Sequence, residues 1–220
     1  MPRILITSGP TRQYLDPVRY LTNASSGRMG CALAAAALKA GCEVTVVSGP
    51  VDVDYPRQAE VISVVSTEEM LDASLSVFPR CDGLIAVAAP CDYRPVKVQP
   101  HKIAKTGQPL LLQLVETPDV VAAMAAIRQS QWIVAFALET KDRRMRAMQK
   151  LERKSCDLIV VNGPAAMHSP QTEVEVINRK GEVLAALAGG KEDVAVRIFQ
   201  VVRERLMTKR PAGRPHEPGR

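Results

Sequence analysis

The sequence contains no apolar run of the roughly eighteen residues that a membrane-spanning helix needs. It has no basic segment followed by an apolar core at its start, so we expect neither a signal peptide nor a membrane partner. Its five cysteines are irregularly spaced and form no Cys-x-x-Cys pair. A disulfide framework or a zinc site is therefore not expected, and reduced thiols in a cytoplasmic protein are the simpler interpretation.

Several catalytic signatures are also missing. The sequence has no Walker loop and no Gly-x-Ser-x-Gly elbow. None of its histidines, His101, His168 and His216, follows a strand that would carry a nucleophile. We interpret Cys91 as a small packing residue and His101 as a surface loop residue, and a catalytic thiol at Cys91 is the alternative.

Basic charge is concentrated near the carboxyl terminus. The formal net charge is +6, and residues 208–220 hold four basic residues against one acidic residue. Their Pro-, Gly- and Arg-rich composition predicts a disordered tail behind a single folded domain, residues 1–207. The mildly basic body fits small anionic substrates, and we expect no nucleic-acid partner.

Strand and helix patterns alternate along the domain. We predict strands at Ile4–Ile6, Glu43–Ser48, Val61–Val65, Gly83–Ala88, Leu110–Val115, Trp132–Ala137, Leu158–Val161, Glu173–Asn178 and Val183–Leu187, and helices at 29–40, 67–78, 117–129, 141–154 and 191–206. This alternation predicts an α/β fold, a Rossmann-like doubly wound and mostly parallel sheet with helices on both faces. Leu110–Val115 is expected outside the regular winding, and the last two strands are expected to add an antiparallel hairpin.

Polar residues mark the expected helix starts. Ser25 or Ser26 is the expected N-cap of the first helix, and Thr67 that of the second. At the third helix, Thr117-Pro118-Asp119 supplies an expected cap, a first-turn proline and an acid.

The first strand is followed by an unusually long polar loop. The chain leaves Ser8-Gly9-Pro10 and reaches Asn23-Ala24-Ser25-Ser26-Gly27 at the start of the first helix. A strand, a glycine turn and a helix N-terminus form an anion site in doubly wound sheets. This loop also carries Arg12, Asp16 and Arg19, which together indicate a site for polar substrates as well as for phosphates.

A redox dinucleotide matches this loop poorly. The acidic residue that would bind a ribose at the end of the second strand is replaced by Ser48-Gly49-Pro50. The glycine spacing also departs from the dinucleotide fingerprint, and tight turning and helix packing alone explain Gly9, Gly27 and Gly30. NAD(P) is therefore a minor alternative.

A nucleoside triphosphate is the second candidate ligand. Its phosphates would lie on Ser25-Ser26-Gly27, with positive charge from Lys102 and Lys105 and a Mg²⁺ ion on Asp92. The simpler interpretations are a solvated loop for the two lysines and a turn for Asp92.

Three polar clusters follow predicted strand ends: the opening loop, Asp92 with its neighbours, and Glu139-Thr140. The carboxyl ends of parallel strands share one edge of a sheet, and ligands bind there. We therefore expect the three clusters to meet, although they are far apart in sequence.

The motifs, taken together, resemble a known family. SGPTR, DPVRYLTNASSGRMG, CDYRP, HKIAK, TPDVV, AFALET and DLIVVN occur in this order, and over about residues 3–205 the chain is similar to the phosphopantothenate–cysteine ligases of coenzyme A biosynthesis. The resemblance implies a Rossmann-like fold and a homodimer. Because no decarboxylase portion accompanies it here, it implies a stand-alone ligase without flavin.

The implied reaction has two halves. The carboxylate of 4′-phosphopantothenate attacks the α-phosphorus of CTP or ATP, with Mg²⁺, to give an acyl-nucleotide and pyrophosphate. The amine of L-cysteine then displaces the nucleotide to form an amide. The first half brings two anions together, so cations and oriented N–H groups are expected to dominate catalysis.

The resemblance also assigns residues. Asn23 matches the asparagine that handles the acyl-nucleotide, Arg19 a residue for phosphopantothenate, and Lys102 a lysine that stabilises charge during nucleotidyl transfer. Asp92 matches the aspartate near the nucleotide and its metal. The other implied nucleotide-binding residues are Ser25, Ser26, Gly27, Ala88, Ala89, Pro118, Asp119, Val120, Val121, Phe136, Lys150 and Lys154. Residues 102–105, here called the lysine strip, match a segment that in the family belongs to an arm near the dimer interface.

The chain departs from the family pattern in places. Pro90 and Cys91 replace the usual Val-Ala, Ala104 removes one cation from the lysine strip, and Arg28 replaces a lysine but keeps its charge. These departures motivate one alternative, a non-catalytic paralogue that binds a nucleotide or a pantothenate derivative. An NAD(P)-dependent reductase is the remaining alternative.

Overall fold

The structure is a computed structural model that describes residues 1–138, 142–162 and 171–208. The strands are β1 Arg3–Ser8, β2 Arg12–Tyr14, β3 Tyr20–Thr22, β4 Glu43–Ser48, β5 Glu60–Ser63, β6 Gly83–Ala86, β7 Tyr93–Pro95, β8 Leu114–Glu116, β9 Trp132–Leu138, β10 Leu158–Asn162, β11 Gln171–Asn178 and β12 Val183–Gly190. The α-helices are α1 Arg28–Lys39, α2 Thr67–Val77, α3 Val120–Ile127, α4 Arg143–Arg153 and α5 Lys191–Val202. A 3₁₀ turn, Phe78–Arg80, follows α2, and a π-helical turn, Arg203–Met207, follows α5.

The main sheet has the order β12-β11-β10-β9-β6-β1-β4-β5. Its strands are parallel from β10 to β5, and β11 and β12 extend it as an antiparallel hairpin. This confirms the predicted α/β fold with its added hairpin. No helix in the described part of the chain is long and apolar enough to cross a membrane.

Alternate residues of the central strand β1 face opposite helix layers. Ile4 and Ile6 belong to a buried cluster with residues of α1 and α5, whereas Leu5 belongs to a second cluster with residues of α2, α3 and α4. A strand that is buried on both faces reads as a continuous apolar run, as β1 does. The helices therefore cover both faces, and the polar loops are left at the strand ends.

The expected serine cap of α1 is wrong. The N-cap position is Gly27, with a φ of 72° and no side-chain hydrogen bond. A left-handed glycine turns the chain into the helix, so neither Ser25 nor Ser26 reaches an amide of its first turn.

The two expected threonine caps are also wrong. Ser66 caps α2 by accepting from the Glu69 amide at 3.1 Å, and Asp119 caps α3 by accepting from the Ala122 amide at 3.1 Å. Both are the residues placed to reach the amide three positions on. Thr67 and Thr117 use their hydroxyls elsewhere, as described below.

Two small antiparallel ribbons lie outside the main sheet. β2 pairs with β3 inside the opening loop, and β7 pairs with β8. The first ribbon was not predicted, because its strands are only three residues long. The second corrects the predicted strand Leu110–Val115, whose paired residues are Leu114–Glu116. The predicted loop at 163–172 is described only from Gln171 onward, and His168, His216 and the tail from residue 209 lie outside the described residues.

Candidate active site

The loop after β1 meets the loop after β6 at the carboxyl edge of the sheet. Pro10 forms an isolated parallel bridge with Ala89. The Nδ2 group of Asn23 donates to the carbonyl oxygens of Ala89 at 3.3 Å and Pro90 at 2.8 Å. The predicted meeting of these two loops is confirmed, whereas Glu139-Thr140 lies outside the described residues. Asn23, a predicted catalytic residue, thus holds together the two loops that form the edge.

Threonine hydroxyls hold the peptide of Cys91 on both sides. The Cys91 amide donates to Thr11 Oγ1 at 2.8 Å, and Thr67 Oγ1 donates to the Cys91 carbonyl at 3.1 Å. Thr11 Oγ1 and Thr67 Oγ1 are 2.8 Å apart, so the proton of Thr11 closes a ring of hydrogen bonds. Thr117 Oγ1 donates to the same carbonyl at 2.5 Å. Three separate parts of the chain therefore fix the peptide immediately before Asp92.

Asp92 itself is exposed, and its carbonyl accepts from the Thr117 amide at 2.9 Å. Among the described residues, no group of three or more His, Cys, Asp or Glu side chains is placed to hold a metal. A lone exposed carboxylate fits Mg²⁺, which triphosphates and water hold with one or two protein carboxylates. The predicted metal role of Asp92 is therefore compatible with its surroundings.

Asp16 is a fully buried carboxylate inside the opening loop. Its Oδ1 accepts from the amides of Val18 at 2.8 Å and Arg19 at 2.9 Å, and its Oδ2 accepts from the Ile103 amide at 3.1 Å. The guanidinium of Arg19 pairs with Asp16 at 3.1 Å and donates to the Ile103 carbonyl. Burial alone would raise the pKa of Asp16, but these hydrogen bonds and Arg19 hold that pKa below its ordinary value.

Lys102 lies beside the Ile103 peptide, and its side chain is exposed. Together with Lys97 and His101 it lines a cavity of about 340 Å³ that Leu15 and Leu112 also border. In the described chain Lys102 makes no ion pair, so its charge is available to an anionic ligand. His101 is exposed, as predicted for a surface loop.

The start of α1 presents polar groups without internal partners. Ser25 is half-buried and Ser26 is exposed, and neither hydroxyl makes a hydrogen bond within the described chain. The first-turn amides of a helix have no intrahelical acceptor and carry partial positive charge. The free groups at the start of α1 are therefore compatible with a bound anion, and the phosphate-binding role of Ser25, Ser26 and Gly27 remains a prediction.

The neighbouring crevice does not suit a dinucleotide. A Cβ on Gly27 would lie 2.8 Å from Val51 Cγ1, so Val51 already packs against the glycine turn. The hydroxyl of Tyr55 bonds to Ser8 Oγ at 2.8 Å and to Ser48 Oγ at 2.9 Å. Ser48 stands where a dinucleotide fold places its acidic ribose ligand, and Tyr55 engages it. These contacts argue against NAD(P).

Two of the predicted nucleotide-binding lysines are engaged with the protein. Lys154 Nζ pairs with the Asp119 carboxylate at 2.9 Å, and Lys150 Nζ donates to the Phe136 carbonyl at 3.0 Å. Burial alone would raise the pKa of Asp119, but its bonds to Lys154 and to the Ala122 amide hold that pKa below its ordinary value. The structure thus links the start of α3 to α4 and β9.

The predicted base-pocket residues do not all share one face of the sheet. Ala88, Val120 and Val121 pack in the layer of α2, α3 and α4. The ring of Phe136 packs instead in the layer of α1 and α5. The backbone carbonyl of Phe136 is the group that contacts Lys150, whose helix α4 lies on the other face of the sheet.

The thiol of Cys91 is buried, and burial raises its pKa, with a further rise from the Asp92 carboxylate. A thiol needs its deprotonated form to act as a nucleophile. The structure therefore favours Cys91 as a packing residue.

Comparison with known proteins shows which family the chain belongs to. The family described as DNA/pantothenate metabolism flavoprotein C-terminal domain, or DFP, matches residues 2–206. The chain belongs to the DFP family. The coenzyme A biosynthesis bifunctional protein CoaBC of Vibrio vulnificus is 44% identical to this DFP domain over 162 residues, 72% of this chain and 40% of that protein. The chain therefore spans less than half the length of that relative.

Solved structures share the fold. The crystal structure of the C-terminal domain of CoaBC is 33% identical, covers 94% of this chain and 97% of its own, and superposes with a TM-score of 0.81. A Cab2 variant in complex with phosphopantothenate-cysteine is 18% identical, covers 94% of this chain and 88% of its own, and has a TM-score of 0.74. The second likeness shows the fold alone.

Sequence reasoning missed the residues that position the site of this DFP domain. In the sequence, Asp16 stands out only as a polar loop residue and Thr11 carries no distinguishing signal. The local sequence around Thr67 and Thr117 favours helix caps. A signal for Asp16 was present, since Asp before Pro is a common turn starter whose side chain bonds to nearby amides. Nothing in the sequence indicated that Ile103 would be the distant partner.

Proposed function

We propose that this domain ligates 4′-phosphopantothenate to L-cysteine at the expense of a nucleoside triphosphate, in coenzyme A biosynthesis. The observation that carries the proposal is that the opening loop bonds to two other segments. Asn23 bonds to the loop that leads to Asp92, and Asp16 and Arg19 bond to the strip that bears Lys102. The CoaBC relatives and the DFP match support the same reaction class.

The nucleotide's phosphates would lie on Ser25-Ser26-Gly27 at the start of α1, where unbonded amides face the ligand. The exposed charge of Lys102 would offset the charge that builds up when the substrate carboxylate approaches the α-phosphorus. Groups oriented before the reaction stabilise such charge without reorganising. Arg19 belongs to the same region and is expected to serve phosphopantothenate.

Asp92 would hold Mg²⁺ together with the triphosphate oxygens. When bound there, the ion would neutralise phosphate charge and orient the leaving pyrophosphate. The threonine ring around Cys91 fixes the backbone from which Asp92 projects, and so limits the movement of the carboxylate.

Asn23 is expected to serve the second half of the reaction. The side-chain amide group of Asn23 already donates to the Ala89–Pro90 backbone. Its side-chain oxygen, which accepts no hydrogen bond within the described chain, is therefore held in a fixed orientation. That group is suited to accept a hydrogen bond from the attacking amine of cysteine. Placing the amine close to the acyl carbon replaces a bimolecular encounter with an oriented one.

For the base we propose CTP, in a pocket built from Pro118, Asp119 and the α3 start. Lys150 and Lys154 on the neighbouring helix would contribute, together with the backbone of Phe136 to which Lys150 bonds. Lys150 and Lys154 are held by protein partners, and they would act on the nucleotide through the groups that they position.

We also propose that the domain works as a homodimer. The segment after β7 exposes Val96, Val98, Leu110 and Leu112, and Leu111 is 91% exposed. A second copy would cover these side chains beside the lysine strip. We expect Leu111→Asp to reduce the mass measured by light scattering from that of a dimer to that of a monomer, and an unchanged dimer would contradict this interface.

The test of the reaction is pyrophosphate release with phosphopantothenate, Mg²⁺ and each of CTP, ATP, GTP and UTP, with and without cysteine. We expect pyrophosphate in both conditions, product only with cysteine, and the highest rate with CTP. Absence of pyrophosphate with all four nucleotides contradicts the proposed function. Thermal stabilisation by a nucleotide without turnover would instead identify a binding paralogue.

A further inference from the structure

The Ile103 peptide is held from both sides by the opening loop. Its amide donates to Asp16 Oδ2 at 3.1 Å, and its carbonyl accepts from the guanidinium of Arg19. The two residues are also paired with each other at 3.1 Å. We call these contacts of Asp16 and Arg19 with Ile103 the clamp. Lys102 is the residue immediately before Ile103.

Little else ties this segment to the body. Within the described chain, the only other hydrogen bond from residues 97–112 to the body joins the Gln99 amide to the Leu15 carbonyl at 2.9 Å. That bond also ends on the opening loop. Apart from the β7–β8 ribbon that holds its two ends, the segment is therefore positioned by the loop that carries Asn23.

Asp16 is suited to be the fixed point of this arrangement. Its carboxylate is fully buried and accepts three backbone amides. Two of them shape the turn that orients Arg19, and the third is the Ile103 amide. Charge-assisted hydrogen bonds are stronger than neutral ones, and a buried carboxylate without them is costly. One side chain thus fixes both the turn and the strip.

We propose that Asp16, together with Arg19, is a positioning residue for nucleotidyl transfer that acts through Lys102. The inference rests on the proposed ligase function and deepens it. Asp16 touches no substrate, and part of the contribution of Arg19 comes from holding the Ile103 peptide. The clamp keeps Lys102 in a fixed position relative to the opening loop when the two anionic substrates meet.

The test combines amide exchange with a double-mutant cycle. In Asp16→Asn, we expect the Ile103 amide to exchange at least about tenfold faster, since it loses a charge-assisted hydrogen bond. Pyrophosphate formation in a single turnover should fall about as far as in Lys102→Gln. The double variant should be no slower than Lys102→Gln alone, because residues that act as a unit are not additive.

Asp157→Asn is the matched control. The Asp157 carboxylate also accepts a backbone amide, that of Ile133 at 2.8 Å, and pairs with Arg128 and Arg179 at 3.0 Å, but it precedes β10 at the opposite edge. We expect it to lower stability while leaving Ile103 exchange and the Lys102 coupling unchanged.

Arg19→Gln is the second variant, in case Asp16→Asn does not fold. It removes the donor to the Ile103 carbonyl, and we expect faster exchange at Ile103. Its rate loss should combine with that of Lys102→Gln to less than the product of the two, because only the part that comes from the clamp is shared with Lys102. Unchanged Ile103 exchange in the variants, or rate losses that multiply with that of Lys102→Gln, would overturn the inference. Absence of pyrophosphate from the unaltered protein overturns the proposed function instead, while the exchange data still report on the clamp.

Discussion

The side-chain amide of Asn23 donates to the Pro90 carbonyl at 2.8 Å, across 67 residues of sequence. Pro90 stands where the family that the chain resembles usually has valine. Because the contact uses the backbone carbonyl, the substitution leaves it intact. The departure from the family pattern therefore leaves the contact between the two loops intact, and this position gives no structural ground for the non-catalytic alternative.

Replacing Asn23 by Asp would remove the donor to both carbonyl oxygens and place a negative charge against them. We expect nucleotidyl transfer to continue, while amide formation slows by about 100-fold, corresponding to ~2.7 kcal/mol of transition-state stabilisation. The acyl-nucleotide should then accumulate in quenched reactions analysed by mass spectrometry. Asn178→Asp, in the exposed hairpin turn, is the control and should turn over normally. Unchanged turnover by Asn23→Asp would remove Asn23 from the mechanism.

The hydroxyl ring around Cys91 gives a second prediction. Thr11→Val would leave the buried Cys91 amide without an acceptor, which costs about 1–3 kcal/mol. We expect this loss in denaturant unfolding, together with weaker Mg²⁺-nucleotide binding in calorimetry, because Asp92 follows the freed peptide. Thr11→Ser should restore both properties.

Thr45→Val is the matched control for that substitution. The Thr45 hydroxyl bonds to Glu60 at 3.0 Å on the exposed edge of the sheet. Its removal should change stability by no more than about 0.5 kcal/mol and should leave nucleotide binding unaltered. Equal effects at Thr11 and Thr45 would show that the ring has no special role.

The sheet was predictable because its signals are local and repeated. Ile4–Ile6 and the other apolar runs have the length and composition of buried parallel strands, and the intervening residues have helical spacing. The meeting of the Asn23 and Asp92 loops followed from the shared carboxyl edge of such strands. The order and direction of the strands were therefore enough to predict that these two loops meet.

The positioning contacts were not predictable, because they depend on distant partners. A hydroxyl such as that of Thr67 can cap a helix or bond across the fold, and the local sequence favours the cap. The same holds for Asp16, whose turn contacts are local but whose bond to Ile103 is 87 residues away. Only the assembled fold brings these partners within hydrogen-bond distance.

Cys91 provides a test of the thiol alternative. Because burial and Asp92 raise the pKa of its thiol, little thiolate is present near neutral pH, and alkylation by iodoacetamide should be slow in the native protein. Cys91→Ala should retain turnover within about twofold, since the contacts described here use the Cys91 backbone and not its sulfur. Loss of turnover in Cys91→Ala with normal folding would revive the thiol mechanism.

The ion pair of Lys154 with Asp119 predicts a particular response to acid. The folded pKa of Asp119 lies below its unfolded value, so the unfolded chain binds this proton first as the pH falls. The stabilisation is therefore complete above the ordinary aspartate pKa of about 3.9 and is lost as the pH drops through the folded value. Lys154→Gln removes a main cause of this lowered pKa.

The free energy of unfolding can be measured by denaturant titration at several pH values below about 5. As the pH is lowered, it should fall less steeply in Lys154→Gln than in the unaltered protein. Identical slopes would show that Lys154 does not set the Asp119 pKa, and would leave nucleotide binding as the role to examine for this lysine.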